Sequence, residues 1–128
     1  MRIKTFPEDF LTYLKQNTLA GVKGGLVRET FLNIWMVEVD GRVFARSWEK
    51  SSRSWFTAFQ EQGTGQIKYG DKVMNVSGIT NNDPDQNLLI DEAYRKKYTQ
   101  EHNLFYVNGI TQPEYRNYTM EFIFDSEL

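Results

Sequence analysis

Apolar and polar positions alternate along much of the chain, and this alternation predicts a mainly β protein. The clearest pattern is a pair of β-rich runs, Asn33–Val39 and Arg42–Trp48, joined by Asp40-Gly41. Asp-Gly between two such runs predicts a two-residue hairpin, because both central positions of a type I′ turn need a positive φ.

Three other regions favour strands. A second hairpin is predicted from Gly65–Tyr69 and Lys72–Ile79, with its turn at Gly70-Asp71. Alternation from Tyr118 to Phe124 predicts a half-buried terminal strand. The glycine-broken segment Leu19–Val27 predicts a short strand or strand pair, and its glycine spacing indicates a bulge or tight bend rather than a nucleotide-binding loop.

Helical patterns interrupt the strands at three places. Thr5 and Glu8 form a capping-box pattern before a helix that we expect to end near Asn17. A short helix is predicted from Trp55 to Gly63, and a third helix from Leu88 to Tyr98. Five or six strands with short turns and peripheral helices favour one small barrel domain, of mainly β (α+β) class, over residues 1–128.

The apolar segment Leu104–Ile110 has two interpretations. It is either a further barrel strand or a flap that covers a neighbouring subunit. Because exposed apolar surface of this size calls for a partner, we expect a homodimer.

Composition narrows the function classes. The net charge of −2, with both signs mixed along the chain, argues against nucleic acid as the partner, since a phosphate backbone needs a basic surface. The chain has no cysteine, which excludes disulfides and thiolate chemistry and fits a reducing compartment. Without an apolar run near the ~20 residues that span a bilayer, we expect a cytoplasmic protein with no membrane contact.

One loop has the chemistry of an anion site. The segment from Arg46 to Ser54 offers three positive charges and four hydroxyls, and it leads into the helix that begins at Trp55. Basic side chains, hydroxyls and the free N–H groups of a helix start together favour a phosphate. The alternative is that the serines cap the helix and the cations are solvated.

Other candidate residues are weaker. The segment Asp83–Asn87 begins like a calcium loop, but Leu88 and Tyr94 stand where the loop needs Gly and Glu, so no metal site is predicted. His102, the single histidine, is expected to be exposed without a catalytic role. The carboxylates of Asp91 and Glu92 are interpreted as ordinary helix charges.

Several segments together resemble a known bacterial family. Thr30–Trp35, Val37–Ser47, Ser54–Phe56 and Ile90–Tyr98 are similar to a family of small uncharacterised proteins placed with the flavin- and deazaflavin-binding split barrels. The resemblance implies a six-stranded split β-barrel with two to three peripheral helices, dimeric, with a flavin-type cofactor in a groove at the subunit interface. It implies that the cofactor phosphate meets the following residues: Arg46, Ser47, Lys50, Ser51, Ser52 and Trp55.

Three functional hypotheses follow. The first is an FMN- or deazaflavin-binding protein related to oxidoreductases, in which the cofactor carries the chemistry. The second is a non-catalytic protein of the same fold that binds no flavin and whose groove is filled by Phe31, Trp35 and Trp48 or holds another small ligand. Relatives often carry Pro and Thr where this chain has Phe31 and Leu32, and two bulky side chains there would narrow the groove. The third is a hydrolase that uses a loop serine.

Overall fold

The structure is a computed structural model that describes residues 5–25, 30–48 and 54–127. In these residues seven antiparallel strands form one sheet, in the order β2-β1-β5-β6-β7-β4-β3, accompanied by four α-helices and one 3₁₀ helix. The elements in chain order are α1 (Glu8–Gln16), β1 (Ala20–Gly24), β2 (Leu32–Ile34), β3 (Val37–Val39), β4 (Arg42–Arg46), α2 (Trp55–Gln62), β5 (Thr64–Tyr69), β6 (Lys72–Thr80), α3 (Pro84–Lys97), α4 (Glu101–Ile110), the 3₁₀ helix (Pro113–Tyr118) and β7 (Thr119–Glu127).

The sheet is strongly curled, because β2 and β3 lie at its opposite edges yet follow each other in the chain. Only Trp35 and Met36 separate the two strands. Consecutive Cα atoms are about 3.8 Å apart, so the edges at Ile34 and Val37 lie within about 11 Å of each other. The sheet therefore forms a half-barrel of mainly β (α+β) class.

The strand count differs from the predicted six. The run Asn33–Val39, expected as one strand, is divided at Trp35 and Met36 into β2 and β3. Sequence alternation continues across the division, so the pattern alone does not reveal that the two halves pair with different strands. In the described residues the sheet therefore has seven strands.

Both predicted hairpins are confirmed. Val37 pairs with Phe44 across the first hairpin, where Asp40 has φ 51° and Gly41 has φ 83°. In the second, β5 pairs with β6 and Gly70 in the turn has φ 63°. Positive φ at these turn positions suits glycine and aspartate, which is why local sequence located the turns.

Two apolar clusters lie on opposite faces of the sheet. Val43 and Ala45 of β4 pack into the larger cluster, which includes side chains from α1, α2 and most strands. Phe44, between them, points to the other face and packs against Ile90 and Tyr94 of α3. Successive strand residues face opposite sides, so β4 is covered on both.

The helices differ from the predictions in three respects. Pro7 occupies the N-cap position of α1 without a side-chain cap, so the capping box of Thr5 and Glu8 is not formed. The helix predicted from Leu88 begins four residues earlier, at Pro84, because the Asp83 carboxylate accepts a hydrogen bond from the amide of Asp85 at 3.0 Å.

The third correction concerns the segment Leu104–Ile110, for which one interpretation was a barrel strand. It belongs to the helix α4 instead. Val107 and Ile110, three residues apart, are the buried residues of this helix, and they pack into the smaller cluster with Tyr94 and Tyr98. A short apolar run has no period that distinguishes a strand from a helix, so this tertiary contact decides the outcome.

Candidate functional site

A groove of about 420 Å³ opens between β2, the end of β4, the start of α2 and the outer part of α4. Its volume lies in the range of about 300–1,000 Å³ typical of small-molecule sites. Apolar and aromatic side chains supply most of the lining, and the amides of Asn33 and Asn103 are among its polar groups. The aromatic residues that line it are Trp35, Trp48, Trp55, Tyr94 and Tyr106.

The two tryptophans that follow β2 and β4 are held in place by other rings. Trp35 stacks on Tyr98, with ring centroids 4.0 Å apart and an interplanar angle of 9°. Trp48 meets Tyr115 edge to face at 5.0 Å. Tyr106 of α4 makes edge-to-face contacts with both indoles, at 6.4 Å to Trp35 and 6.2 Å to Trp48. These contacts give the groove rigid aromatic walls.

Gly109 allows α4 to approach Trp48 closely. A Cβ atom on Gly109 would lie 2.6 Å from Cη2 of the indole, which is closer than carbon atoms tolerate. The position of Trp48 therefore depends on the missing side chain at Gly109 as well as on its ring contacts.

Phe31 does not line the groove, whereas Trp35, Trp48 and the neighbouring Leu32 do. The Lys23 ammonium lies 4.8 Å from the centroid of the Phe31 ring. Trp35 and Trp48 therefore line the groove without filling it, and about 420 Å³ stays open around the described side chains.

Beneath the groove, Arg46 is the centre of a buried polar network. Its side chain is fully buried, and its Nε donates to the Thr119 hydroxyl at 3.0 Å. Nη1 donates to the Asp91 carboxylate and to the Ile110 carbonyl oxygen, the latter at 3.2 Å. Nη2 donates to the carbonyl and side-chain oxygens of Asn87, at 3.3 and 3.2 Å. A guanidinium has five N–H donors, and all five are used.

Asp91 accepts from a second arginine. Its other carboxylate oxygen lies 2.9 Å from Nη2 of Arg116, so a single buried carboxylate joins two guanidinium groups. The Arg116 Nε is buried and has no hydrogen-bond partner within the described part of the chain. The network ties α3, α4 and the 3₁₀ helix to the sheet under the groove.

Tyr94 completes the floor. Its hydroxyl accepts a hydrogen bond from the Arg46 amide at 2.9 Å. Burial raises the pKa of Tyr94 to about 12, so the phenol stays neutral at physiological pH.

Sequence reasoning missed this network by treating Asp91 as an ordinary helix charge. Asn87, Asp91, Tyr94 and Tyr98 are spaced four, three and four residues apart, which places them on one helix face with Ile90. Polar residues within the apolar stripe of a helix need buried partners, and that pattern was the available signal.

The predicted phosphate-site residues are placed as follows. Arg46 lies in the floor with no N–H left for a phosphate, and this favours a structural role for it. Ser47 is buried in the groove wall, and its amide donates to the Tyr118 carbonyl oxygen at 3.1 Å. Trp55 opens α2 and lines the groove. Lys50, Ser51 and Ser52 lie outside the described residues.

Ser54 is the N-cap residue of α2. This agrees with the alternative interpretation of the loop, in which its serines cap the helix. The Ser54 hydroxyl accepts a hydrogen bond from the Thr57 amide at 3.2 Å.

His102 is exposed in the first turn of α4, as expected. Across residues 5–25, 30–48 and 54–127, no cluster of three or more acidic or histidine side chains has a metal-binding arrangement. No helix within these ranges is both long and apolar enough to cross a membrane.

The fold and the groove define a curled half-barrel protein with an aromatic pocket at the meeting edges of its sheet. The chain belongs to the family described as "Uncharacterized protein conserved in bacteria (DUF2255)", which matches residues 18–122. The matched segment contains every groove residue named above.

A crystal structure of similar fold is that of the conserved hypothetical protein Rv2991 from Mycobacterium tuberculosis. The TM-score is 0.58 at 10% sequence identity, and the alignment covers 98% of this chain and 86% of that chain. At this identity the likeness concerns the fold alone. No curated protein matches the sequence.

Proposed function

We propose that the protein binds a planar heteroaromatic cofactor of flavin type, FMN or a deazaflavin, in the aromatic groove. The observation that carries the proposal is the groove itself, whose volume remains open between Trp35 and Trp48. Aromatic side chains held by other rings stack on planar ligands at little entropic cost, and each such contact contributes about 1–3 kcal/mol.

The cofactor phosphate is proposed to lie at the loop that follows β4. Trp48 and Trp55, which both line the groove, flank the segment 49–53 in the chain. The proposed phosphate ligands remain Ser47, Lys50, Ser51 and Ser52. Arg46 is left out of this set because its donors are used internally.

Charge supports an anionic ligand here. Arg46, Arg116 and Asp91 carry two positive charges and one negative charge, a net +1 under the groove. This excess acts on a phosphate without a direct contact, and an enclosed site screens it less than bulk water does.

A titration of the apo-protein with FMN and with a deazaflavin tests the proposal, with binding followed by calorimetry and flavin fluorescence. We expect saturable binding at micromolar concentrations or tighter. Loss of one stacking contact in Trp48→Leu should raise Kd by about five- to 150-fold. Leu88→Ala is the control, since Leu88 of α3 is 58% exposed and does not line the groove. No saturable binding of either ligand would overturn the proposal.

The oxidoreductase activity is proposed only through the cofactor. A bound flavin would supply the electron chemistry, and the protein would bind and orient it. Reduction of the bound flavin by a reduced nicotinamide, followed by its absorbance, would support this activity. Flavin binding without reduction by any physiological donor would favour a binding protein without catalysis.

A homodimer is proposed through the outer face of α4. Leu104, Phe105 and Tyr106 are 46%, 80% and 51% exposed, and they adjoin the rim of the groove. Contiguous exposed apolar residues of this kind are typical of an interface. Light scattering should give twice the chain mass, and Phe105→Glu should give monomers.

A further inference from the structure

A second cavity, of about 470 Å³, lies on another side of the molecule between α1, β3 and α3. Its apolar lining includes Leu14, Val37, Leu89 and Ala93. Lys97, in the last turn of α3, is one of the polar residues on its wall. Of the residues that the structure describes, none lines both this cavity and the aromatic groove.

Lys97 is a partly buried amine that has no carboxylate partner among the described residues. Its Nζ donates to the Met36 carbonyl oxygen at 2.6 Å and lies 5.2 Å from the centroid of the Tyr98 ring. Neither contact supplies a full negative charge. No carboxylate of the described ranges lies within 4.0 Å of it, and burial lowers the pKa of Lys97 to about 8.

The other charged residues that line the cavity do not form an ion pair with Lys97. Lys96 and Glu92 of α3 form an ion pair with each other at 3.0 Å. The Glu38 carboxylate of β3 accepts a hydrogen bond from the Gly41 amide at 3.1 Å. Lys15 of α1 and Asp40 of the first hairpin turn complete the charged lining.

We propose that Lys97 is a nucleophilic amine that binds aldehydes and reactive ketones covalently, with the apolar part of the ligand in this cavity. The nitrogen lone pair attacks the carbonyl carbon, and the carbonyl oxygen takes up a proton to give a carbinolamine. Loss of water then gives an imine, so one amine and one carbonyl yield one imine and one water without oxidation or reduction.

The position of Lys97 in the wall of an apolar cavity, with no carboxylate of the described ranges within 4.0 Å, is what suits it to this role. The lowered pKa gives Lys97 a larger neutral fraction near pH 7.5 than a lysine in water has. Only the neutral form attacks a carbonyl. The apolar lining adds affinity for ligands with a hydrocarbon part.

The test is reductive trapping on the full chain. The protein is incubated with hexanal and cyanoborohydride over pH 6.5–9, digested and mapped by mass spectrometry. We expect one hexyl group on Lys97, attached at least tenfold faster than at Lys23 or Lys68, with a rate that rises to a midpoint near pH 8. Formaldehyde, which has no hydrocarbon tail, should show a smaller preference for Lys97.

Two variants control the experiment. Lys97→Arg should lose this modification, and Lys68→Arg should keep it. The wild-type peptide map decides the matter even if Lys97→Arg is unstable. Labelling spread evenly over the lysines, or confined to the N-terminal amine, would overturn the proposal.

Discussion

Replacing Asp91 by Asn should destabilise the protein strongly, although the two side chains have nearly the same shape. The carboxylate accepts from Arg46 and Arg116, and its own side chain is only 3% exposed. An asparagine has one acceptor oxygen and turns its NH₂ donors toward a guanidinium. The change therefore leaves buried positive charge without compensation.

The magnitude follows from burial. Removing one partner of a buried ion pair costs about 3–5 kcal/mol. Small domains have a total stability of about 5–15 kcal/mol, so this loss is a large share. With a urea m-value of about 2 kcal/mol/M, the unfolding midpoint should fall by about 2 M.

The matched control is an ion pair on the surface. Lys72 and Asp9 are 2.6 Å apart, yet their side chains are 61% and 46% exposed. Because water and salt screen such a pair, Asp9→Asn should leave the midpoint nearly unchanged. Urea unfolding followed by tryptophan fluorescence measures both variants. Equal midpoints for Asp91→Asn and Asp9→Asn would refute the argument that burial determines the contribution of this network.

Other expected outcomes concern the groove and the response to pH. Gly109→Ala should displace the Trp48 indole, shift the tryptophan emission and weaken ligand binding; unchanged emission would contradict the close approach. Burial raises the pKa of Tyr94 to about 12 and also raises that of Tyr98. In the unfolded chain these phenols lose their protons near pH 10, so stability should fall above that pH, less steeply in Tyr94→Phe. The folded Lys97 loses its proton near pH 8 and the unfolded one only near 10.5, so between these values its contribution should make stability rise with pH. Urea midpoints of Lys97→Met, measured from pH 7 to 10, should lack that rise.

The parts of the fold that sequence predicted are those that local chemistry determines. Asp40-Gly41 and Gly70-Asp71 located both hairpins, because few residues adopt a positive φ. Ser54 and Gly63 bound α2 for similar reasons, one as a side-chain cap and the other with φ 75°. These features need no knowledge of distant parts of the chain.

The features that sequence did not predict depend on distant partners. The division of Asn33–Val39 follows from β2 pairing with β1 and β3 pairing with β4, at opposite ends of the sheet. Met36 at the division is held by Tyr98, whose hydroxyl accepts from the Met36 amide at 3.1 Å, across 62 positions of sequence. Such contacts leave no trace in a local pattern.

The candidate site shows the same division between local and distant causes. Trp55 belongs to the predicted site and Trp48 adjoins it, because both flank one loop in the chain. Tyr106 and Asn103 reach the groove only because α4 packs on the outer face of the sheet. The buried hydrogen bonds of Arg46 have the same kind of cause, since Asn87, Asp91 and Ile110 supply acceptors from two helices that follow it by more than 40 residues.

The groove and the buried network are mechanically linked. Trp35 lies where the chain leaves β2 for β3, and its ring rests on Tyr98 of α3. The position of α3 depends in turn on the contacts of Asn87 and Asp91 with Arg46. Loosening that network would therefore move one wall of the groove, although none of the three polar side chains needs to contact a ligand. If Asp91→Asn weakens ligand binding, we therefore expect the cause to be a displaced Trp35 ring, which would no longer offer its stacking surface to the ligand.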